Sequence, residues 1–339
     1  MKKRYIQKVD INMNTQIFAT FGPACKEEYI LQKMIEAGMT GMRLNLSHTT
    51  LEESKPYIEA YHNAAASLKV KPQILIDMQG PELRIGDLKH SLQLEEGQKV
   101  LIGEDGIPVP QVVIEALTVG AKILLDDGKI LIKVTEMSEA EVQASVLRGG
   151  LLQGHKSIKI QNANVMMPVL TEHDIENIKV AKKYGVTALM QPFVRSGKDL
   201  CYVRDVLKEY HAQDIQIYAK IENRIGIENL ENILPESDVC VIARGDLGND
   251  MPLWELPKIQ KEIEHICKKH HKPYIVVTQM LASMEERPLP TRAEVSDIFH
   301  AVYHGAWGVM ITGETAVGHY PVEAVKYLTN TAKEAEKYQ

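Results

Sequence analysis

The chain has 339 residues and a formal net charge of −6, with 45% hydrophobic and 25% charged residues. This composition is ordinary for a globular protein, and without a basic surplus we expect no nucleic-acid partner. We expect no membrane span, because no apolar run reaches about 18 residues, and no signal peptide, because no apolar segment follows the basic start. The four cysteines form no CxxC pair, which is typical of reduced thiols in a cytoplasmic protein.

Short apolar runs alternate with longer segments of helical period along the chain. The predicted strands are, in order, QIFATFG (16–22), GMRLNLS (41–47), QILIDM (73–78), ALMQPF (188–193), QIYAKIE (216–222), DVCVIAR (238–244), YIVVTQ (274–279) and GVMITGE (308–314). Strands that alternate with helices in this way are parallel and are joined by helical crossovers. We therefore predict an α/β fold, a closed (β/α)8 TIM barrel. An open doubly wound sheet is the alternative, because periodicity does not establish closure.

One segment, 87–162, interrupts this alternation. It contains SLQLEEGQKVLIG, GAKILLDDGKILIKVTEM and AEVQASVLRGG, in which apolar residues alternate and glycines mark turns, and it contains no convincing long helix. We predict an inserted β-rich domain at 87–162 between two parts of the barrel, 1–86 and 163–339. Glycine or proline at both junctions is typical of such boundaries.

Polar residues gather at the C-terminal ends of the predicted strands, where barrel enzymes carry their active sites. Arg43, Asn45 and Ser47 are spaced by two and share one face of the second strand, and Lys220 and Glu222 share a face of the fifth. Uncompensated buried charge costs several kcal/mol, so charge at so many strand ends indicates a site rather than packing. The other strand ends contribute Asp77, Arg244, Gly245, Asp246, Thr278, Thr312 and Glu314.

Two of these carboxylates suit a divalent cation. Glu222 and Asp246 come from adjacent predicted strands and offer hard oxygens that, with substrate oxygens and water, complete the octahedral shell of Mg²⁺ or Mn²⁺. Lys220 beside that ion favours a bound anion, and Arg43 presents a planar fork that suits phosphate. The backbone N–H groups of Gly245 and Asp246 open a short predicted helix, which suits a carboxylate.

A second oxygen cluster comes from Asn45, Ser47 and Asp77. It carries one formal charge, which matches a monovalent cation better than Mg²⁺. Together the two clusters predict a cationic site within an acidic protein. Such a site suits phosphoryl transfer or enolate chemistry on a small polyanion.

The ordered motifs of the chain resemble those of the pyruvate kinase family over about residues 15–337. The motifs are TQIFATFGPA, MRLNLSH, DMQGPELRIG, LLDDGKI, AKIENRIGIENL, ARGDLG, VTQMLASM, PLPTRAEVSDI and ITGETAVGHYPVEAV. The family fold is a (β/α)8 TIM barrel with an inserted β-rich lid. The resemblance implies phosphoryl transfer from phosphoenolpyruvate to ADP, giving pyruvate and ATP in glycolysis. It also implies Mg²⁺ or Mn²⁺ and K⁺ as cofactors.

Carried over residue by residue, the resemblance implies a catalytic role for Lys220, which would stabilise the phosphoryl group in transfer. It implies that Arg43 holds the phosphate and that Thr278 lies beside the enolate carbon, in a proton path to C3. Glu222 and Asp246 would bind the divalent ion that bridges the substrate.

The resemblance also implies a potassium site and a nucleotide side. Glu82 is the residue type that the family associates with potassium dependence. The implied potassium ligands are Asn45, Ser47, Asp77 and the carbonyl of Met78. The implied nucleotide-binding residues are His48, Arg84, Asp127 and Lys156.

The sequence departs from the family pattern in several places. Gln79 stands where the family usually has lysine, and HKSIKIQN (155–162) lacks the usual glycine and proline of the hinge. The chain stops after the eighth predicted helix, so we expect no C-terminal effector domain and no effector control. One alternative is a diverged enzyme that uses another phosphoryl acceptor or performs metal–enolate chemistry, such as decarboxylation, on a 2-oxoacid. Another is a non-catalytic regulatory protein.

The loop ERPLPTRAE (286–294) holds two prolines after the seventh predicted strand. In the family this region lies near a subunit contact. A homo-oligomer formed through barrel surfaces is therefore one prediction, and a polar loop without a partner is the alternative.

Overall fold

The structure is a computed structural model of the chain. It divides into two compact units, Met1–Gly80 with Val169–Gln339, and Pro81–Pro168. The second unit extends six residues beyond each end of the predicted insertion, 87–162. The residues that the structure describes are 14–47, 49–80, 83–126, 128–138, 141–161, 165 and 167–339.

The first unit begins with strands and helices in alternation. Its elements before the insertion are β1 (Gln16–Thr20), α1 (Glu28–Glu36), β2 (Gly41–Asn45), α2 (Lys55–Ser67) and β3 (Ile74–Asp77).

The second unit is built mainly of antiparallel β-strands. Five strands form a sheet in the order β10-β6-β7-β8-β5, and β4 pairs with β9. Its core consists of alternating apolar residues such as Ile123, Ile132 and Ala144. The predicted β-rich character is therefore confirmed. The elements are β4 (Leu92–Leu94), β5 (Lys99–Ile102), α3 (Gln111–Ala116), β6 (Lys122–Leu125), β7 (Ile130–Met137), β8 (Val142–Arg148), β9 (Gly150–Leu152) and β10 (Ile158–Ile160).

The first unit then resumes. The segment GIENLENILPES forms the end of one short helix and a second short helix, which meet at Asn229, and then a 3-10 turn, Leu234–Glu236. Proline at 235 explains why the second helix ends before this turn. The resumed elements are α4 (Glu172–Ala181), β11 (Ala188–Gln191), α5 (Gly197–Glu209), β12 (Gln216–Ile221), α6 (Arg224–Glu228), α7 (Leu230–Ile233), β13 (Val239–Ala243), α8 (Arg244–Asp250), α9 (Leu256–Lys269), β14 (Tyr274–Val277), α10 (Arg292–Tyr303), β15 (Gly308–Met310), α11 (Gly313–Ala316) and α12 (Pro321–Glu336).

Eight strands of the first unit close into a barrel in the order β1-β15-β14-β13-β12-β11-β3-β2. Every neighbouring pair is parallel, including β1 with β15. The prediction of a TIM barrel is confirmed, and the open-sheet alternative is wrong. Side chains such as Phe18, Leu75 and Tyr218 fill the interior, and a second apolar layer packs against the helices. Burial on both faces explains why the strands read as continuous apolar runs.

The parallel register brings the C-terminal ends of the strands to one rim of the barrel. Asn45 pairs with Asp77 where β2 and β3 end, and Lys220 of β12 pairs with Val241 of β13. The polar residues at the strand ends therefore gather at this rim. No helix in the described part of the chain is long and apolar enough to cross a bilayer.

One buried carboxylate, Asp174, holds the segment that follows β3. Its Oδ1 accepts the N–H of Gln79 at 2.8 Å, and its Oδ2 accepts the N–H of Gly80 at 3.1 Å. Oδ2 also accepts the N–H and the hydroxyl of Thr171, each at 2.9 Å. The Thr171 hydroxyl in turn accepts the N–H of Asp174, which completes a capping box at the start of α4. A single side chain thus fixes the end of β3 to α4.

We predict that Asp174→Ala lowers the free energy of unfolding by about 3 kcal/mol, because several buried donors lose their acceptor together. Chemical denaturation measures this loss. The matched control is Glu176→Ala on the same helix, which removes an exposed ion pair with Lys179 and should change the free energy by less than about 1 kcal/mol. Equal effects of the two substitutions would contradict the anchoring role of Asp174.

Candidate active site

A buried carboxylate, Asp77 at the end of β3, joins two cations at the rim. Arg43 of the adjacent β2 donates to Oδ2 from Nε at 2.9 Å and from Nη2 at 2.6 Å. Lys220 of β12 reaches past β11 and donates from Nζ to Oδ1 at 3.1 Å and to Oδ2 at 3.3 Å. The side chain of Asp77 is 5% exposed and those of both cations are 14% exposed. The three charges therefore form one compact, largely dry cluster.

The neighbouring charges set the ionisation of this cluster. Burial raises the pKa of Asp77, but the positive charges of Lys220 and Arg43 outweigh burial and hold that pKa below its ordinary value. Burial lowers the pKa of Lys220, but Asp77, Glu222 and Asp246 more than reverse this effect and raise that pKa above its ordinary value. Lys220 is consequently held as a cation.

Glu222 follows Lys220 by two residues and is fully buried, with a side-chain exposure of 0%. Its Oε2 accepts the N–H of Phe193 at 2.8 Å. Its Oε1 lies 2.8 Å from Nζ of Lys220, but it accepts no hydrogen bond of normal geometry. Burial raises the pKa of Glu222 to about 7, because the attraction of Lys220 offsets burial only in part and Asp246 adds repulsion.

The carboxylate oxygens of Glu222 and Asp246 are of the type that a divalent cation prefers, and their binding of one stays a prediction. Asp246 lies in the first turn of α8, and its charge raises the pKa of both Glu222 and Lys220. The buried Oε1 of Glu222 has the ammonium group of Lys220 at 2.8 Å as its nearest partner, and a carboxylate oxygen of this kind is also a ligand type that a hard cation prefers. Within the described ranges no group of three or more His, Cys, Asp or Glu side chains suits a metal ion. The protein would thus supply two ligands and leave the others to substrate and water.

Thr278, directly after β14, has a φ of 70°, a left-handed conformation that is rare for β-branched residues. Its hydroxyl accepts the N–H of Gly245 at 2.9 Å and donates to the carbonyl of Val277 at 2.6 Å. Arg244 donates from Nη2 to the carbonyl of Thr278 at 2.7 Å and from Nη1 to Asp297 at 2.6 Å. Hydrogen bonds to both the hydroxyl and the carbonyl of Thr278 therefore hold this strained residue in place. The use of the Gly245 N–H for a substrate carboxylate stays a prediction.

The cluster predicted for a monovalent cation is placed as follows. Asn45 Oδ1 accepts the N–H and the hydroxyl of Ser47, at 3.2 Å and 2.9 Å. Asn45 is the register partner of Asp77, and Met78 continues the chain from β3. Both oxygens of Asp77 already accept bonds from Arg43 and Lys220. The predicted potassium site therefore shares Asp77 with Arg43 and Lys220, and the binding of K⁺ there stays a prediction.

Gln79, which departs from the family pattern, has specific partners in this structure. Its Nε2 donates to the carbonyl of Ser47 at 3.2 Å, and its Oε1 lies 3.2 Å from the hydroxyl of Thr171, whose one hydrogen it shares with the closer Asp174. The glutamine thus connects the ends of β2 and β3 to the start of α4.

Glu314, in the short helix α11 after the last strand, has a different environment from Glu222. It is 1% exposed, and it accepts the N–H of Leu281 at 3.0 Å and that of Thr312 at 2.6 Å. Backbone donors satisfy both of its oxygens. Glu314 therefore connects two loops of the rim, and we assign it no direct contact with a ligand.

The residues predicted to bind nucleotide belong to other parts of the chain. Lys156 of the second unit forms an ion pair with Asp126 at 3.1 Å, and Arg84 donates to the carbonyl of His155 at 2.9 Å. Their contact with nucleotide stays a prediction. The other predicted residues, His48, Glu82 and Asp127, lie outside the described residues.

Sequence reasoning missed several supporting residues. Arg244 was predicted only as a polar strand end, and its bond to Asp297 was not expected. The motif PLPTRAEVSDI contains Asp297 and was the available signal. Phe193, whose N–H binds Glu222, gave no signal, because its role depends on the backbone alone.

Comparison with known proteins supports the same family. The family model described as "Pyruvate kinase, barrel domain" matches residues 12–325. A pyruvate kinase of Staphylococcus aureus (strain MRSA252) is 40% identical over 336 residues, which cover 96% of this chain and 57% of the relative. A pyruvate kinase of Bacillus licheniformis is 38% identical over 334 residues, which cover 95% of this chain and 57% of the relative. The chain thus spans somewhat over half the length of the curated relatives that it matches.

We predict that the contribution of Glu222 to the free energy of unfolding of the metal-free protein decreases as the pH rises from about 4.3 to about 7. The lower limit is the ordinary glutamate pKa, and the upper limit is the pKa of Glu222 in the folded state. In this window the folded protein binds more protons than the unfolded chain, so raising the pH favours unfolding. Denaturation of the wild type and of Glu222→Gln measures this contribution as a difference. The difference should decline with pH and then level off, and a difference that is independent of pH would contradict the assigned pKa.

Proposed function

The chain belongs to the pyruvate kinase family, and we propose that it transfers the phosphoryl group of phosphoenolpyruvate to ADP, giving pyruvate and ATP. The observation that carries this proposal is the position of Lys220. Its ammonium group is held between Asp77 and Glu222 at the barrel rim, where two carboxylates also suit a divalent ion. Phosphoryl transfer requires this combination of fixed positive charge and metal ligands.

We propose that Lys220 neutralises the charge that develops on the phosphoryl group during transfer. Its ion pairs with Asp77 and Glu222 fix the direction of the ammonium group, so little reorganisation is needed when the reaction occurs. Arg43 would bind phosphate oxygens through its guanidinium group. Asp77 orients this guanidinium through Nε and Nη2, while Nη1 donates to the Thr20 hydroxyl at 3.2 Å.

Glu222 and Asp246 would hold Mg²⁺ or Mn²⁺. When bound, the ion supplies charge neutralisation and orientation of the substrate oxygens. The Phe193 N–H binds Oε2 of Glu222, and Oε1, which lies 2.8 Å from Nζ of Lys220, is the oxygen that we propose as the ligand. Asn45, Ser47, Asp77 and the Met78 carbonyl are proposed to hold K⁺.

Thr278 is proposed to mediate the proton transfer that converts the enolate into pyruvate. Its hydroxyl donates to one backbone carbonyl and accepts from one backbone N–H, so the position of its proton is defined. In the proposed step the hydroxyl turns from the Val277 carbonyl towards the enolate, gives its proton to C3 and takes a proton from solvent in exchange.

The nucleotide side of the proposal rests on the family resemblance. We propose His48, Arg84, Asp127 and Lys156 as nucleotide-binding residues. A cytoplasmic location is part of the same proposal. Assembly into a homo-oligomer stays a prediction.

We predict that the wild-type chain forms pyruvate from phosphoenolpyruvate and ADP with Mg²⁺ and K⁺, measured by coupled lactate production. Lys220→Ala should lower kcat at least about 10²- to 10³-fold, as expected when one fixed charge beside the reacting group is lost. The matched control is Lys182→Ala, which removes an exposed lysine paired with Asp214 at 3.3 Å and should leave kcat unchanged. Thermal unfolding of each variant separates lost chemistry from lost folding.

Turnover by folded Lys220→Ala equal to that of the wild type would contradict the proposal. Other nucleoside diphosphates and oxaloacetate, supplied to the same wild-type protein, test the alternatives of another acceptor and of decarboxylation. Activity with either of these and none with ADP would replace the proposed reaction.

We predict a difference between two substitutions of Thr278. Thr278→Val keeps the branched shape but removes the hydroxyl, so kcat should fall about 10²-fold while KM for phosphoenolpyruvate changes little. Thr278→Ser keeps the hydroxyl and should retain most of the activity. Steady-state kinetics of both variants provide the measurement. Equal kcat values for the valine and serine variants would exclude the hydroxyl from the proton path.

A further inference from the structure

We propose that His300 and His304 form a binding site for a transition-metal ion of the Zn²⁺, Ni²⁺ or Cu²⁺ class. The two residues lie four positions apart at the C-terminal end of α10, where His304 is the C-cap residue. Residues at this spacing lie on the same side of a helix, one turn apart. Their ring centroids are 5.9 Å apart and their ring planes differ by 22°. Two imidazole groups are thus presented together from one short segment.

The hydrogen bonds of the two rings determine which nitrogens can bind a metal. Nδ1 of His300 lies 2.7 Å from the carbonyl oxygen of Ser296, and Nδ1 of His304 lies 2.6 Å from the carbonyl oxygen of His300. A carbonyl only accepts, so each Nδ1 must carry the hydrogen and donate it. Each Nε2 is then left with a lone pair. Metal-binding histidines typically donate their other ring N–H to a carbonyl or a carboxylate in this way.

The surroundings of the pair favour a cation. His300 is exposed and His304 is half-buried, and within the described ranges neither Nε2 has a hydrogen-bond partner. The negative end of the α10 dipole lies at the same place, because α10 ends at Tyr303. Imidazole ligands suit Zn²⁺, Ni²⁺ and Cu²⁺, whereas carboxylates and water suit Mg²⁺. We therefore expect the histidine pair to prefer these transition metals over Mg²⁺, and Glu222 with Asp246 to prefer Mg²⁺.

This site is separate from the candidate active site. Tyr274, the first residue of β14, donates its hydroxyl to the carbonyl of His304 at 2.6 Å. The histidine pair therefore lies beside the N-terminal ends of the strands, whereas Lys220 and Glu222 lie at their C-terminal ends. The proposal consequently does not depend on the proposed function.

The experiment uses the untagged full chain in excess Mg²⁺, which occupies sites built from oxygen ligands. Calorimetric titration with Zn²⁺ should show a site that is lost in His300→Ala and equally lost in His304→Ala. The double variant should show no further loss, because a chelate fails when either ligand is removed. Electron paramagnetic resonance of the Cu²⁺-loaded wild type should show coupling to two imidazole nitrogens.

The matched control is His271→Ala. His271 follows the end of α9 and has a left-handed φ of 50°, so it and the adjacent His270 do not share the one-turn spacing of a helix. This variant should bind Zn²⁺ as the wild type does. Retention of the site in His300→Ala would overturn the proposal. So would a wild-type titration without binding, or a Cu²⁺ spectrum with coupling to fewer than two nitrogens.

Discussion

The ion pairs of Lys220 with Asp77 and Glu222 are the interaction on which the candidate site depends. Two cations, Arg43 and Lys220, face three carboxylates, those of Asp77, Glu222 and Asp246, so the ionised cluster carries a formal charge of −1. A bound divalent ion would change this charge to +1. The same side chains would then attract a phosphorylated anion instead of repelling it. The pKa of Glu222 is raised because its carboxylate is buried and the positive charge of Lys220 compensates for burial only in part.

The barrel makes this cluster possible because it holds the charges on rigid neighbouring strands. Asp77 and Arg43 come from adjacent strands, and Lys220 reaches Asp77 across the end of β11. The loops at the same rim are fixed by side-chain-to-backbone bonds. Asp174 holds the residues after β3, and the carbonyl bond from Arg244 supports the strained backbone of Thr278. Strain of this kind persists only where surrounding contacts impose it.

The sequence predicts much of this arrangement because strands and charge spacing are local properties. Eight apolar runs with helices between them indicate parallel strands, and the spacing of Lys220 and Glu222 places both on one strand face. Closure of the barrel was predicted from the number of strand–helix units, but the local pattern could not establish it, because closure depends on the pairing of β1 with β15, which are far apart in sequence. The 3-10 turn at Leu234–Glu236 has a local cause, because proline at 235 cannot continue an α-helix.

Partners of side chains within the site were harder to predict than the residues themselves. Asp77 was grouped with Asn45 and Ser47 as a cation ligand, but its nearest partners are Arg43 and Lys220. The reach of a long side chain across a neighbouring strand follows from the curvature of the barrel, which spacing does not reveal. Gln79 was identified only as a departure from a family pattern, and its bonds to Ser47 and Thr171 appear only in three dimensions.

The most direct test is a crystal structure of the chain with Mn²⁺ and oxalate, an analogue of the enolate of pyruvate, in which anomalous scattering locates the ion. The predicted result is one Mn²⁺ coordinated by carboxylate oxygens of Glu222 and Asp246 and by the oxalate, with Nζ of Lys220 beside the bound anion. Anomalous density elsewhere on the chain, with neither Glu222 nor Asp246 as a ligand, would contradict the assignment of this rim as the catalytic site.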